Sequence, residues 1–434
     1  MKQKKSNVWI VIYMFLAIFE PPFLPIPFIY VMFLITIILL YFKFKKNNYI
    51  SIVKKTGILN MVIFFMLLLL YFIIITLIDV IFIEKTNLII NRLKSFNQLI
   101  VLTFTQFLNV LYLIILMKEQ NYQIYNLFES MFYAGGLQGI CAILAYFVPE
   151  IRKIFIIFAD KELFSIPYFF ERRGFGYSMT LIDTFGYGMG LLAGYLILSK
   201  WKKENVLKKI VELILIIFAI LVNARTGVVI IAIAMGIKFL QTDNVKEIII
   251  RIAILFSILI IFGFFIAPSL LNWGVNSGNV TVQWIAKDFY EMYNLLVPFG
   301  NKSGVSITNV TFLSEFVNLP SNKFELIFGT GHTVYDTGEI LGFRTDIGYI
   351  NLLWEFGIFG TVIILSGIFY FMFKPFLLTK NKYYRSIIVL NIASYFIVML
   401  KAILIGYNPG VFASYCSSFG LYYFFNIKDE NIGS

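Results

Sequence analysis

The chain has 434 residues, of which 59% are hydrophobic, 18% aromatic and only 14% charged, and its mean hydropathy is +0.83. Soluble domains carry roughly a quarter charged residues, so this composition excludes a soluble fold for almost all of the chain. The formal charge of +12 follows from basic flanks of apolar segments, which excludes a nucleic-acid partner as its explanation.

Apolar runs suited to helices lie near 7–19, 24–42, 57–83, 96–117, 127–148, 178–199, 206–222, 227–241, 248–267, 346–372, 386–405 and 409–426. Hydrocarbon requires every backbone polar group to be satisfied within its own segment, and the short alternating strands of a barrel are missing. The expected fold is therefore an all-α polytopic membrane protein with about twelve transmembrane helices. The first run lacks a small-residue cleavage site and leads into Glu20, Pro21 and Pro22, so it is expected to stay as a helix. Lys2, Lys4 and Lys5 place the N-terminus in the cytoplasm, and alternation puts the clusters Lys43 to Lys55, Lys200 to Lys209 and Lys374 to Arg385 on the same side, with the C-terminus. Cys141 and Cys416 fall within predicted spans as small apolar side chains, with no disulfide framework or thiolate metal site. Gly186, Gly190 and Gly194 repeat every four residues along one face of the sixth span, which predicts close helix packing rather than a phosphate loop.

This divides the chain into helices one to nine (1–267), a large extracytoplasmic loop between helices nine and ten (268–345), and helices ten to twelve with a cytoplasmic tail (346–434). Loops of that length are usually functional, so the chemistry is expected outside.

Three groups of residues carry the sharper signals. Arg225 lies in Asn223-Ala224-Arg225-Thr226-Gly227 at the tip of an outward hairpin whose arms are shorter than a full crossing, so the tip is expected to be recessed. An arginine held below the surface favours a water-filled cavity or an anion, the alternative being a snorkelling contact with headgroups. Arg172 and Arg173 precede the sixth span on the same side, where adjacent arginines also serve as headgroup anchors. Guanidinium groups match phosphate oxygens bidentately, so separated outer arginines facing one cavity suit a lipid diphosphate.

The third group is Phe328-Gly329-Thr330-Gly331-His332, followed by Arg344-Thr345-Asp346-Ile347-Gly348-Tyr349-Ile350-Asn351-Leu352-Leu353-Trp354-Glu355-Phe356-Gly357-Ile358-Phe359-Gly360. If the tenth helix starts at Asp346, then Asp346, Tyr349, Ile350 and Leu353 share a face near its N-terminus, where the dipole favours an anion. Asp346 also suits an N-cap, Arg344 a headgroup contact, and Glu355 a pairing with a neighbouring helix. His332 is the chain's only histidine, on a Gly-rich loop.

The Arg-Thr-Gly hairpin tip, the Phe-Gly-Thr-Gly turn late in a large outer loop and the Thr-Asp-Ile-Gly-Tyr entry to the next helix resemble the Wzy-type O-antigen and capsule repeat-unit polymerases. O-antigen ligases share the outline but carry a His-Asn pair where this chain has Asp346-Ile347-Gly348. The resemblance implies a glycosyltransferase of the bacterial inner membrane, active on the periplasmic face, taking undecaprenyl-diphosphate-linked glycans as donor and acceptor. A chain-length regulator is a further partner it admits, beside membrane lipids. Arg225 and Arg173 would hold the diphosphate with Arg172 or Arg344 assisting, Asp346 or His332 would act as base, and Tyr349 and Glu355 would line the site. No Asp-x-Asp pair or His-rich cluster is present, so neither a cofactor nor a metal is expected. A flippase of the same lipid-linked units is the rival from another class, although the expected internal repeat is missing.

Overall fold

The computed structural model describes residues 8–22, 28–47, 49–82, 89–97, 103–157, 176–178, 183–201, 203–223, 226–241, 318–333, 347–402 and 410–430, with interruptions at single positions and isolated residues elsewhere. The described residues form helices and no strands. They are α1 (Val8–Phe19), α2 (Phe28–Lys46), α3 (Ile50–Lys55), α4 (Ile58–Phe82), α5 (Ile89–Asn97), α6 (Thr103–Glu119), α7 (Ile124–Phe147) and α8 (Pro149–Phe155) in the first part of the chain. Then follow α9 (Asp183–Leu198), α10 (Val206–Asn223), α11 (Thr226–Leu240), α12 (Lys323–Phe328), α13 (Gly348–Leu378), α14 (Lys382–Val398) and α15 (Val411–Glu430). A helix coincides with each apolar run of the sequence except 248–267, of which only 249 and 250 are among the described residues. The run expected at 96–117 begins instead at Thr103, and the separate, more polar α5 precedes it.

Four of these helices, α2, α4, α7 and α13, are long and apolar enough to cross a membrane. The surface of α4 shows why the bilayer is its solvent. Met61, Phe65, Leu68, Phe72, Ile75 and Asp79 form its buried stripe, while Ile63, Leu67, Leu70, Ile74, Leu77 and Ile81 form an equally regular exposed one. An apolar stripe on both faces is what a helix between protein and lipid requires, and a soluble protein would not leave so large a patch in water. The protein is a membrane-embedded, all-α molecule.

Inside the bundle, polar side chains tie helices together where hydrocarbon offers no other partner. The Tyr13 hydroxyl lies 2.6 Å from the Thr36 hydroxyl and 2.8 Å from the Asn109 side-chain carbonyl, joining α1, α2 and α6. The Asn391 amide donates to the Ser417 hydroxyl at 2.8 Å and to that of Ser418 at 3.2 Å, joining α14 to α15, and the Tyr195 hydroxyl brings in α9. Small residues do the rest. A Cβ on Gly190 would stand 2.9 Å from the Gly227 Cα, and one on Gly194 2.5 Å from Leu390, so the glycine stripe of α9 is a packing surface.

The helices share two ends. At one end, Lys43 pairs with Glu119, Tyr49 donates to the same carboxylate at 2.6 Å, the Asn426 amide reaches the Lys55 carbonyl, and Lys208 meets Glu129 at 2.7 Å. The Lys43–Lys55, Lys200–Lys209 and Lys374–Arg385 clusters gather there. At the other end, Ser178 donates to the Phe19 carbonyl at 2.7 Å, the Gly348 amide to Met399 at 2.9 Å, and Gly410 packs on Thr184.

Two compact units are distinguished, 1–235 with 319–434, and 236–318. The second unit spans 236–318 where the loop was expected over 268–345, and residues 319–333 bond into the helices, as described below. In the second unit the Asn276 side chain donates to the Asn272 carbonyl at 2.8 Å.

The α7–α10 contact is set by glycine: a Cβ on Gly139 would stand 2.6 Å from the Leu215 carbonyl oxygen. Gly139→Leu is expected to lower stability by about 1–3 kcal/mol, the usual cost of overpacking. Gly236→Leu, at a position with open space around it, is the control and should show no loss when both are followed by thermal unfolding in detergent.

Candidate functional site

The site is built around a break in α13. Gly357 takes φ 64° and ψ −176° inside this helix, a conformation that only glycine adopts without cost. The break removes the normal partners of the Trp354, Glu355 and Phe356 carbonyls, which in an apolar interior must be satisfied from elsewhere. The Phe328–His332 loop supplies them. The Thr330 amide donates to Trp354 O at 2.7 Å, the Thr330 hydroxyl to the same oxygen at 2.8 Å, and the Gly331 amide to Glu355 O at 3.0 Å. From α4 the Tyr71 hydroxyl lies 3.1 Å from Phe356 O and 2.9 Å from Phe328 O, fastening both sides of the junction.

The glycines of the motif follow from this docking. A Cβ on Gly329 would stand 2.4 Å from Glu355 O, one on Gly331 2.3 Å from the Thr76 hydroxyl, and one on Gly357 2.3 Å from Ile327 O. Gly329 and Gly331 also have φ of 91° and 74°. Two motifs that stand apart in sequence are thus one packed unit.

A buried ion pair braces the loop from the other side. Asp79 of α4 pairs with Arg92 of α5, and the Arg92 Nε donates to Thr330 O at 3.1 Å. Both side chains are removed from solvent, and Glu325 of α12 is buried nearby, its charge acting on Arg92. Burial pulls the Arg92 pKa below its ordinary value while Glu325 raises it, and an arginine retains its proton through such a shift. Asp79 Oδ1, Thr76 Oγ1 and Ser95 Oγ are buried with no hydrogen-bond partner among the described residues. They lie next to this pair in sequence and helix position, and they give the site unused acceptor capacity.

The expected site residues are distributed as follows. His332 is fully buried, its Nε2 3.5 Å from the Thr330 hydroxyl and its ring 6.4 Å from that of Trp354, so it belongs to the docked loop and not to a surface turn. Glu355 is 8% exposed and sits at the break itself. Tyr349 donates its hydroxyl to Phe396 O of α14 at 2.7 Å, which anchors α13 to its neighbour. Arg172, Arg173, Arg225, Arg344 and Asp346 lie outside the described residues. The helix does not start at Asp346: its first residue is Gly348 and its N-cap is Ile347, whose amide donates to the Thr345 hydroxyl at 3.2 Å. The flanks of Arg225 are described. Asn223 ends α10 with 1% exposure and with both amide atoms lacking a hydrogen-bond partner among the described residues, and Thr226 begins α11 with 9% exposure. Gly227 follows, packed 2.9 Å from the Gly186 carbonyl by the position of its would-be Cβ.

Asp79, Arg92, Tyr71 and Thr76 are members of the junction that sequence reading missed. Asp79 had a signal: it is the one acidic residue of α4, and an ionisable side chain within a spanning segment marks a functional or structural site. Arg92 had none, because it lies before the span expected from residue 96. Among the described residues no three His, Cys, Asp or Glu side chains come together as metal ligands. The sequence matches no protein-family model and no curated protein.

Removing one partner of a buried ion pair strands the other charge, which costs about 3–5 kcal/mol, whereas replacing both by apolar groups costs much less. Arg92→Met is therefore expected to destabilise the protein by that amount, and Asp79→Leu/Arg92→Met by less than either single change, in a double-mutant cycle read from unfolding in detergent.

Proposed function

We propose that the chain is a polysaccharide polymerase of the bacterial cytoplasmic membrane, joining undecaprenyl-diphosphate-linked repeat units on its outer face. One observation supports this reading above the others: the Phe328–His332 turn and the Trp354–Gly360 segment, which carry the resemblance to Wzy-type polymerases, pack into a single unit at the end opposite the basic loops. The proposal includes about twelve spans with both termini in the cytoplasm, so that the basic end is the inner one.

In the proposed reaction the sugar hydroxyl of the acceptor unit attacks the anomeric carbon of the donor glycan. A carbon–oxygen bond forms there, the bond to the diphosphate breaks, and undecaprenyl diphosphate departs with the electron pair. Arg225 and Arg173, with Arg172 or Arg344, stabilise the charge growing on the diphosphate. A base takes the hydroxyl proton, and we assign this role to Asp346, since His332 is enclosed between Thr330 and Trp354. Asn223, buried two residues before Arg225 in the chain and with its amide uncommitted to any described residue, is suited to orient that arginine or a ligand oxygen.

The test is glycan ladder length on gels from a strain lacking the gene, complemented with wild type or with Arg225→Ala at matched membrane levels. The expected result is single repeat units in the deletion strain, a ladder with wild type, and at least about a hundredfold less polymer with Arg225→Ala, in line with loss of a main oxyanion-stabilising group. Accumulation of repeat units facing the cytoplasm would instead identify a flippase, and polymer held on its lipid carrier a ligase.

A further inference from the structure

A polar cavity lies at the basic end, away from the α13 break. It has a volume of about 290 Å³ and is enclosed by α7, α10, the connection before α10 and the start of α14. Phe128, Phe132, Tyr383 and Tyr384 give it aromatic walls. Its charges differ in exposure: Glu212 of α10 is 7% exposed, Glu129 and Lys208 pair at part-exposed positions, and Lys200 is exposed.

The ordinary partners in the cavity leave Glu212 short. Lys208 spends its ammonium on Glu129 at 2.7 Å and on the Tyr133 ring at 4.1 Å, and it stands 3.9 Å from Glu212 Oε1, beyond hydrogen-bond reach. Glu212 Oε1 accordingly has no hydrogen-bond donor among the described residues. A carboxylate oxygen buried in a cavity is costly unless a donor arrives, so the ligand must bring an N–H or O–H group to that point. The cavity also carries the opposite charge: Lys200 lines it, with Lys209, whose ammonium is held between the Ser199 hydroxyl at 2.9 Å and the Lys200 carbonyl at 2.7 Å. On α10, Leu207, Ile210, Val211 and Ile214 are exposed apolar side chains, so the helix that carries Lys208 and Glu212 also presents an apolar outer surface.

We infer that this cavity binds a phospholipid whose headgroup joins a primary ammonium to a phosphate, the ammonium donating to Glu212 and the phosphate lying toward Lys200 and Lys209. Basic pockets between transmembrane helices on the cytoplasmic side are recurrent sites for lipid phosphates, and the buried carboxylate adds selection for an N–H donor. The inference concerns a different site from the polymerase reading and stands or falls without it.

The experiment is native mass spectrometry of the purified full chain offered equal amounts of phosphatidylethanolamine, phosphatidylcholine and phosphatidylglycerol. Phosphatidylcholine keeps the positive charge without N–H donors, and phosphatidylglycerol lacks the ammonium. Phosphatidylethanolamine is expected to be retained at least about fivefold over either, a preference of about 1 kcal/mol. Glu212→Gln should abolish that preference, and Glu150→Gln, at an exposed carboxylate of α8 outside the cavity, should keep it. Equal retention of phosphatidylethanolamine and phosphatidylcholine by wild type, or a preference surviving in a folded Glu212→Gln protein, would overturn the inference. Soluble phosphoethanolamine at millimolar concentration is expected to leave the bound lipid in place, and displacement would overturn the assignment to a lipid in favour of a soluble phosphoamine.

Discussion

A helix broken inside an apolar bundle leaves carbonyl oxygens that only another piece of protein can satisfy, and the arrangement at one end of this molecule depends on that constraint. Gly357 creates the break, and Thr330 and Gly331 close it with their amides. Everything near the junction serves the same end: Gly329 and Gly331 clear the space, Tyr71 bridges the two strands of backbone, and the Asp79–Arg92 pair holds the Thr330 carbonyl. The cost of an unmet carbonyl in hydrocarbon, several kcal/mol each, is what makes the loop dock in one register rather than many.

This junction ties local sequence to the proposed chemistry. A loop that must fill a helix break is fixed in position, and residues that follow it toward the next helix start from a defined point. Rigid placement is what transfer between two lipid-held substrates demands, because effective alignment of donor and acceptor supplies much of the rate. The packing elsewhere supports the same economy. Glycine contacts on α7 and α9 bring helices close, and buried hydroxyl and amide groups link α1 to α2 and α6, and α14 to α15, so the ends of the helices are not free to drift.

The helices were legible in the sequence because each is a long apolar run, and the basic clusters that end them do gather in space. The glycine stripe of α9 was legible for a similar reason, as a period of four on one face. Less visible was anything that depends on partners distant in sequence. The break at Gly357 lies within an unbroken hydrophobic run, so periodicity carries no trace of it, and the docking of residues 319–333 into the helices moved part of the expected loop into the bundle. Nothing in the sequence pattern pairs Asp79 with Arg92, and only the fold brings them together. The glycines around His332 indicated a loop but not its depth, and here they permit burial. Asp346 read as a helix start, but the chain delays the first turn to Gly348, with Thr345 and Asn351 binding the intervening backbone.

The most direct measurement of the central claim is amide hydrogen exchange over residues 328–333 in the protein reconstituted in lipid. If Thr330 and Gly331 donate into the α13 break, peptides containing them exchange as slowly as the helix around Trp354, opening only with the larger unit. Exchange of those amides within seconds, while the helix stays protected, would contradict the docked junction and the site built upon it.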